Sequence, residues 1–325
     1  MGMTPNPISI DDVRAAADRL RPHITATAFR SYPLLDQSVG EGIRVWVKHE
    51  NHQPTQSFKI RNGLNCVLGI PDAERKRGVI GASTGNHGQG IAYAGRLTGT
   101  PVTVCVPKGN NPQKNAAIRG LGAELVEVGE TYDETVAECL RIRDARGLTL
   151  LHSTNNPLVI AGAGTITLEI LSQQPDLDAL VIALGGGSQS VGALTVAAAL
   201  KPSLKVYAAG AAAAPAQYES WRQKKFLTNQ PVATFAEGIA TSSAYELTFE
   251  ALKAGLAGFV TVSEDEIRTG MRDLLRFTAN VAEGSGAVGL AGLRHLAKGL
   301  AGQKVGIVIC GGNASEQSLR EVFAA

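Results

Sequence analysis

The stretch Val79-Ile80-Gly81-Ala82, followed directly by Ser83-Thr84-Gly85-Asn86-His87-Gly88, reads as a buried strand passing through a glycine-bearing turn into a helix. The helical pattern continues to Leu97, and Val102-Thr103-Val104-Cys105-Val106 then begins a second strand. Strand, helix and strand in that order imply a parallel pair joined by a right-handed crossover. Glu124 to Val128 and Leu148 to Leu151 extend the pattern as strands, with helices near Pro112 to Leu121 and Tyr132 to Arg146. Ala179 to Leu184, Leu204 to Ala208, Phe259 to Val262 and Val305 to Cys310 form a second strand set with helices between them. The expected fold is α/β with two parallel-sheet units. A small unit over residues 69–155 sits inside a larger, discontinuous one made of 1–68 and 156–325.

Composition narrows the possible functions. With 325 residues, 44% hydrophobic and 18% charged, the chain is globular and long enough for two medium domains. The net charge of +2 comes from dispersed Lys and Arg, without the basic stripe that a phosphate backbone requires, so nucleic acid is not an expected partner. No apolar run approaches about 18 residues, and Met1 to Leu20 reads as coil plus a charged amphipathic helix, so a soluble, cytoplasmic protein without membrane contact is expected. Cys66, Cys105, Cys139 and Cys310 show neither C-x-x-C spacing nor a histidine cluster, which argues against a zinc site or disulfide framework.

Three glycine-bearing turns stand where ligands bind in parallel sheets, after a strand and before a helix. In Leu184-Gly185-Gly186-Gly187-Ser188-Gln189-Ser190-Val191-Gly192, successive backbone N–H groups can converge on an anion at the positive end of the next helix. The alternatives are a plain tight turn or an NAD-binding turn. The strand Leu204 to Ala209 ends with no Asp or Glu for a ribose hydroxyl, which argues against a nicotinamide-dependent oxidoreductase. In the turn after Ala82, backbone N–H groups with Ser83 and Asn86 can hold a carboxylate, and His87 is either a base or the group that holds the loop in shape. The strand ending Val308-Ile309-Cys310-Gly311-Gly312-Asn313 places Cys310 at a sheet edge, or simply as a small buried hydrophobe.

Lys59, in Pro54-Thr55-Gln56-Ser57-Phe58-Lys59-Ile60-Arg61, has mostly small, hydroxyl and apolar neighbours. An amine is almost fully protonated at neutral pH unless its site desolvates it, so this lysine is a candidate Schiff-base lysine; the ordinary alternative is a snorkelling surface lysine.

In order, S-F-K-x-R, S-T-G-N-H-G, G-T-x-x-x-E, the G-G-G turn, E-x-S-G-A and C-G-G-N resemble the fold-type II pyridoxal-phosphate enzymes, of the tryptophan synthase β type. Within them the chain is most similar to the threonine/serine dehydratases and serine racemases, because Phe58 and Ile60 flank the lysine. The resemblance covers nearly the whole chain. It implies a cofactor, pyridoxal 5′-phosphate, in the cleft between two domains, and a homo-oligomer as a possible assembly. It further implies Lys59 as the cofactor lysine with Phe58 packed beside the ring, and Asn86 on the pyridoxal 3′-oxygen. Gly185, Gly186, Gly187, Ser188 and Gln189 would surround the phosphate, and Cys310 would face the pyridine nitrogen. Ser83, Thr84, Gly85, Asn86, His87 and Gly238 would contact an amino-acid substrate, although Gly238 can also be a turn glycine. Glu283 would lie near the ring or serve as a helix N-terminal carboxylate. Arg61 and Glu169 would brace the architecture.

The implied reaction is α,β-elimination of water from a 3-hydroxy L-amino acid, releasing a 2-oxo acid and ammonia. A pyridoxal-phosphate carrier without activity needs only part of this set. Departures from the family pattern refine the expectation. Gln56 and Asn62 replace glycines, and Ser188 and Gln189 replace Gly-Leu. Thr84 stands where racemases carry serine, which makes racemisation the lesser alternative. Ala211 to Ala214 follow Gly210 where metal-activated relatives carry a glutamate, so no metal is expected. The sequence ends soon after Asn313, so no regulatory domain and no isoleucine feedback are expected. The small-residue run Ala208 to Ala216, and Ser153-Thr154-Asn155-Asn156 in place of Phe and Asp, suggest a roomier pocket. The expected substrate is therefore L-threo-3-phenylserine, with L-threonine or L-serine as the alternatives.

Overall fold

A computed structural model describes residues 6–324. Met1 to Pro5, part of the expected N-terminal coil, and Ala325 lie outside the described residues. Among the described residues, ten strands form two sheets: β1 (Phe29–Ser31), β2 (Arg44–His49), β3 (Val79–Ala82), β4 (Val102–Val106), β5 (Glu124–Glu127), β6 (Thr149–Leu150), β7 (Ala179–Ala183), β8 (Lys205–Ala211), β9 (Gly258–Val262) and β10 (Lys304–Ile309). The four-stranded sheet has the order β5-β4-β3-β6, and the six-stranded sheet β1-β2-β10-β7-β8-β9.

Every pairing is parallel except that of β1 with β2. The central strands are continuous apolar runs. All of Val102–Val106 and four of the five residues of β7 are buried, as a sheet covered by helices on both faces requires. The chain enters the four-stranded sheet after β2 and returns to the six-stranded one at β7.

β1 and β2 were not legible from hydrophobic pattern. β1 is only three residues long, and β2 carries Lys48 and His49, both buried, where an apolar run would have marked a strand. Tertiary ion pairing makes that burial possible. Lys48 Nζ donates to Glu169 at 2.6 Å, and Arg61 bonds both Glu50 (2.8 Å) and Glu169 (2.6 Å). Burial alone would lower the Arg61 pKa, but the two carboxylates more than offset it and raise it. Burial likewise opposes the charge on Glu50, yet Arg61, Lys48 and Thr27 hold its pKa below the ordinary value.

Glycine contacts bring the helices together. A β-carbon on Gly90 would stand 2.4 Å from the Lys59 carbonyl oxygen, so the Lys59–Gly69 and Asn86–Thr98 helices cross backbone to backbone. A β-carbon on Gly162 would stand 2.6 Å from the Arg61 carbonyl, and one on Gly192 would stand 2.6 Å from Gly164 Cα. The helices Pro157–Gln173 and Ser188–Leu200 thereby join the same stack. This packing gathers the N-termini carrying Lys59, Asn86 and Ser188.

The Ala208 to Ala216 run does not open a pocket along its first half. Ala208, Ala209 and Ala211 are buried within β8, Gly292 of the Gly284–Leu296 helix presses on Ala209, and Phe259 fills the space at Gly210. Small side chains there admit a helix against the sheet.

Candidate functional site

Lys59 opens its helix, and the loop before it is stitched to the turn after β10. Phe58 N–H donates to the Cys310 carbonyl at 3.0 Å, Gly312 N–H donates to the Gln56 carbonyl at 2.9 Å, and Ser57 bridges Gly311. Gln56 takes φ 52°, a left-handed conformation that explains why a glycine would suit the position. The Lys59 amine lies 3.5 Å from the Ser153 carbonyl oxygen and 4.9 Å from the centre of the Phe58 ring. Burial lowers its pKa to about 8, against opposing contributions from Cys310 and Glu283.

The turn after β3 faces this lysine. Ser83 Oγ accepts from Gly85 N–H (3.2 Å) and Gly88 N–H (2.9 Å), so the serine shapes the loop internally. His87 Nε2 donates to the Leu151 carbonyl at 2.9 Å. Burial and the nearby Lys59 charge push its pKa down to about 3. A neutral imidazole tied to a carbonyl holds the loop in shape, the second of the two roles considered for it. Thr84 contributes its carbonyl to Asn110 at 3.2 Å.

Asn86 is more constrained than the sequence suggested. Its amide donates to Glu283 Oε1 at 2.6 Å and accepts from Asn313 at 2.8 Å, while Asn313 also donates to the Thr55 carbonyl. Ser285 Oγ donates to the same Glu283 oxygen at 2.8 Å, and the Cys310 thiol stands 3.8 Å from Ser285 Oγ. Glu283 is buried and its pKa is raised by that burial. Burial and Glu283 together push Cys310 up to about 12, so it remains a neutral thiol. Glu283 thus both precedes the Gly284–Leu296 helix as its N-cap residue and joins the cluster of Asn86, Ser285 and Cys310.

The glycine turn after β7 forms a cradle. Gly187 has φ 95° and starts the Ser188–Leu200 helix. A β-carbon on Gly186 would meet Thr154 Oγ1 at 2.0 Å, and one on Gly185 would stand 2.9 Å from the Gly238 carbonyl, which brings Gly238 to the same place. Thr248 Oγ1 donates to the Gly186 carbonyl at 2.8 Å. Gln189 Nε2 and Ser190 Oγ are buried at the start of that helix without partners among the described residues, an arrangement suited to receiving an anion.

Sequence reasoning therefore named most of the residues that converge here. It missed Thr248, a single hydroxyl residue with no local signature, and gave no role to Ser285 within the E-x-S-G-A motif or to the ring of His152. Elsewhere, Cys66, Cys105 and Cys139 are buried free thiols. Among the described residues no helix is long and apolar enough to cross a membrane.

A family model described as pyridoxal-phosphate dependent enzyme matches residues 20–311. The chain is 36% identical over 306 residues to an L-threonine ammonia-lyase of Thermotoga maritima, covering 94% of this chain and 76% of that protein. It is 34% identical to an L-threo-3-hydroxyaspartate ammonia-lyase of a Pseudomonas species, covering 94% and 95%. The structure of maize serine racemase superposes with a TM-score of 0.92 at 26% identity, covering 97% of each chain. The chain belongs to the fold-type II pyridoxal-phosphate dependent enzymes, in the branch of threonine/serine dehydratases and serine racemases. Its cofactor is pyridoxal phosphate and its enzyme class is lyase. The residues fit that cofactor, because a partly neutral buried amine, a side-chain-free cradle at a helix N-terminus and unpartnered buried polar groups occur together.

Proposed function

We propose that this enzyme converts a 3-hydroxy L-amino acid into a 2-oxo acid and ammonia by eliminating water across the α and β carbons, and that its preferred substrate is L-threo-3-phenylserine. The reading rests above all on the Lys59 amine, held beside Ser153 with a pKa near 8 between the carboxylate loop and the glycine cradle. Pyridoxal phosphate, when bound, supplies the electron sink that lets the α C–H bond break. Lys59 would carry the cofactor and then act as the base. At pH 7 about a tenth of such an amine is neutral, far more than for an ordinary lysine.

Gly185, Gly186, Gly187, Ser188 and Gln189 would hold the phosphate, with Phe58 against the ring, Asn86 at the 3′-oxygen and Cys310 at the pyridine nitrogen. A neutral thiol does not keep that nitrogen protonated, which favours prompt elimination over transamination. Ser83 to His87 and Gly238 would orient the substrate, the carboxylate lying on the loop N–H groups. The proton for the departing hydroxide would come from the protonated lysine, the cofactor phosphate or a nearby hydroxyl. The enamine product then gains a proton at carbon and takes up water, releasing ammonia.

Two of the relatives are named for ammonia loss from L-threonine and L-threo-3-hydroxyaspartate, which share the 3-hydroxy amino-acid core and differ in the β-substituent. That supports the elimination and leaves the substituent to the pocket. The test is 2-oxo acid and ammonia release from L-threo-phenylserine, L-threonine, L-serine and D-serine, with Lys59→Ala as control. A Lys59-dependent preference for phenylserine supports the proposal; a higher kcat/KM for threonine or serine overturns the substrate assignment.

A further inference from the structure

We infer that Tyr132, His152 and Tyr245 form the wall that receives the β-substituent of the substrate, and that these three rings determine specificity in favour of an aryl group. The inference deepens the phenylserine reading and rests on it.

The three rings come from separate segments: those of His152 and Tyr245 are in contact, and Tyr132 stands near Ser153 and Tyr245. His152 directly precedes Ser153, whose carbonyl lies 3.5 Å from Lys59 Nζ. His152 Nδ1 accepts from the N–H groups of Thr154 (2.9 Å) and Asn155 (2.8 Å), which fixes the ring and leaves its proton on Nε2. Burial and the Lys59 charge lower the His152 pKa, so the imidazole is neutral. Tyr245 meets it edge to face, with centroids 5.8 Å apart at 74°. Asn155 Oδ1 accepts from Leu247 N–H at 3.3 Å, bracing the His152 loop against the segment that carries Tyr245.

Tyr132 joins the group from the same four-stranded sheet as His152, at the start of the helix between β5 and β6. It opens the Tyr132–Arg146 helix, its hydroxyl donates to the Ala82 carbonyl at 3.3 Å, and it neighbours Ser153. Ala82 directly precedes the Ser83 to His87 loop, so Tyr132 stands at the edge of the carboxylate site. The residue as a whole is 41% exposed, while burial of its phenol end raises that group's pKa.

The charges here select among β-substituents. All three wall residues are uncharged, and Asp133 lies close enough to Tyr245 to add to the rise that burial causes in its phenol pKa. A carboxylate substituent would find no cation among these three rings. A methyl group would leave most of the ring surface uncovered, whereas an aryl ring can stack on it and bury far more apolar area.

The test compares kcat/KM for L-threo-phenylserine and L-threonine in the cofactor-loaded wild type, Tyr132→Ala, Tyr245→Ala, and the Tyr→Phe variants at both positions. The ratio should fall about tenfold in each Ala variant, chiefly through the phenylserine KM, and should persist in the Phe variants, which keep the ring. With two independent positions, poor folding of one variant leaves the other informative. A wild type that prefers phenylserine, with a ratio unchanged in both Ala variants or equal losses for both substrates, overturns the wall alone. A wild type that prefers threonine overturns the substrate reading and the wall with it.

Discussion

Thr154 and Gly186 touch across the two halves of the site: a β-carbon on Gly186 would stand 2.0 Å from Thr154 Oγ1 and 2.8 Å from its Cγ2. The loop after β6 is thus fitted against the glycine cradle after β7, and the bare backbone of Gly186 is a requirement of that fit. A single methyl group there must push the two segments apart.

Gly186→Ala should therefore weaken pyridoxal-phosphate binding by at least about tenfold, since either the cradle or the Lys59-side loop must move by an ångström or more. Adding Thr154→Gly removes the obstructing atoms and should restore much of the affinity. Titration of the apo-protein with cofactor, followed by visible absorbance, measures both variants. Equal affinity in Gly186→Ala and wild type would contradict the contact.

The buried charge cluster is expected to dominate local stability. Arg61→Met leaves Glu50, which is fully buried, with Thr27, Gln53 and the more distant Lys48 as its remaining company. Breaking a buried ion pair from one side costs about 3 to 5 kcal/mol. Chemical denaturation should show that loss as a lower midpoint at unchanged slope. A loss below about 1 kcal/mol would mean that the pair is solvated.

Helix crossing makes a contrasting pair of glycine substitutions. Gly90→Ala would drive a β-carbon to 2.4 Å from the Lys59 carbonyl, whereas the position at Gly120 has nothing within 4 Å. The first should cost more than about 2 kcal/mol and displace Lys59; the second should be neutral or stabilise by up to about 1 kcal/mol. Thermal unfolding of the two variants side by side checks the difference.

Two buried histidines set part of the acid response. His49 is held at about 4 and His87 at about 3, both mainly by burial, against an ordinary value of 6.5. Below that ordinary value the unfolded chain binds the protons, so stability falls as pH drops from 6.5 toward 4 and 3, and neither group contributes a slope above it. Each should contribute about 1.4 kcal/mol per pH unit within its window. Glu283, whose folded pKa is raised, acts in the opposite direction just above its ordinary carboxylate range. Denaturation between pH 6 and pH 5 should give a shallower slope in His87→Gln than in wild type, whatever the variant's absolute stability. An unchanged slope would show that His87 is not buried neutral.

The local order of residues determined a good deal by itself. Short, β-branched runs such as Val102 to Val106, bounded by turns, read as strands covered on both faces, and their alternation with helices implies parallel sheets. The turns at Ser83 to His87 and Gly185 to Gln189 were equally legible, because glycines between a strand and a helix have a local backbone cause. The tertiary structure decided what depends on distant partners. β2 exists as a strand because Glu169, far along the chain, neutralises Lys48 within the core. Asn86 is committed to Glu283 and Asn313, which no local spacing could reveal. The alanine run of β8, which looked like space for a substrate, is consumed by the helix that carries Gly292, while the rings of His152 and Tyr245 meet from segments far apart in the chain. Periodicity records which face of an element is buried; which charge, ring or carbonyl lies opposite is set only when the elements pack.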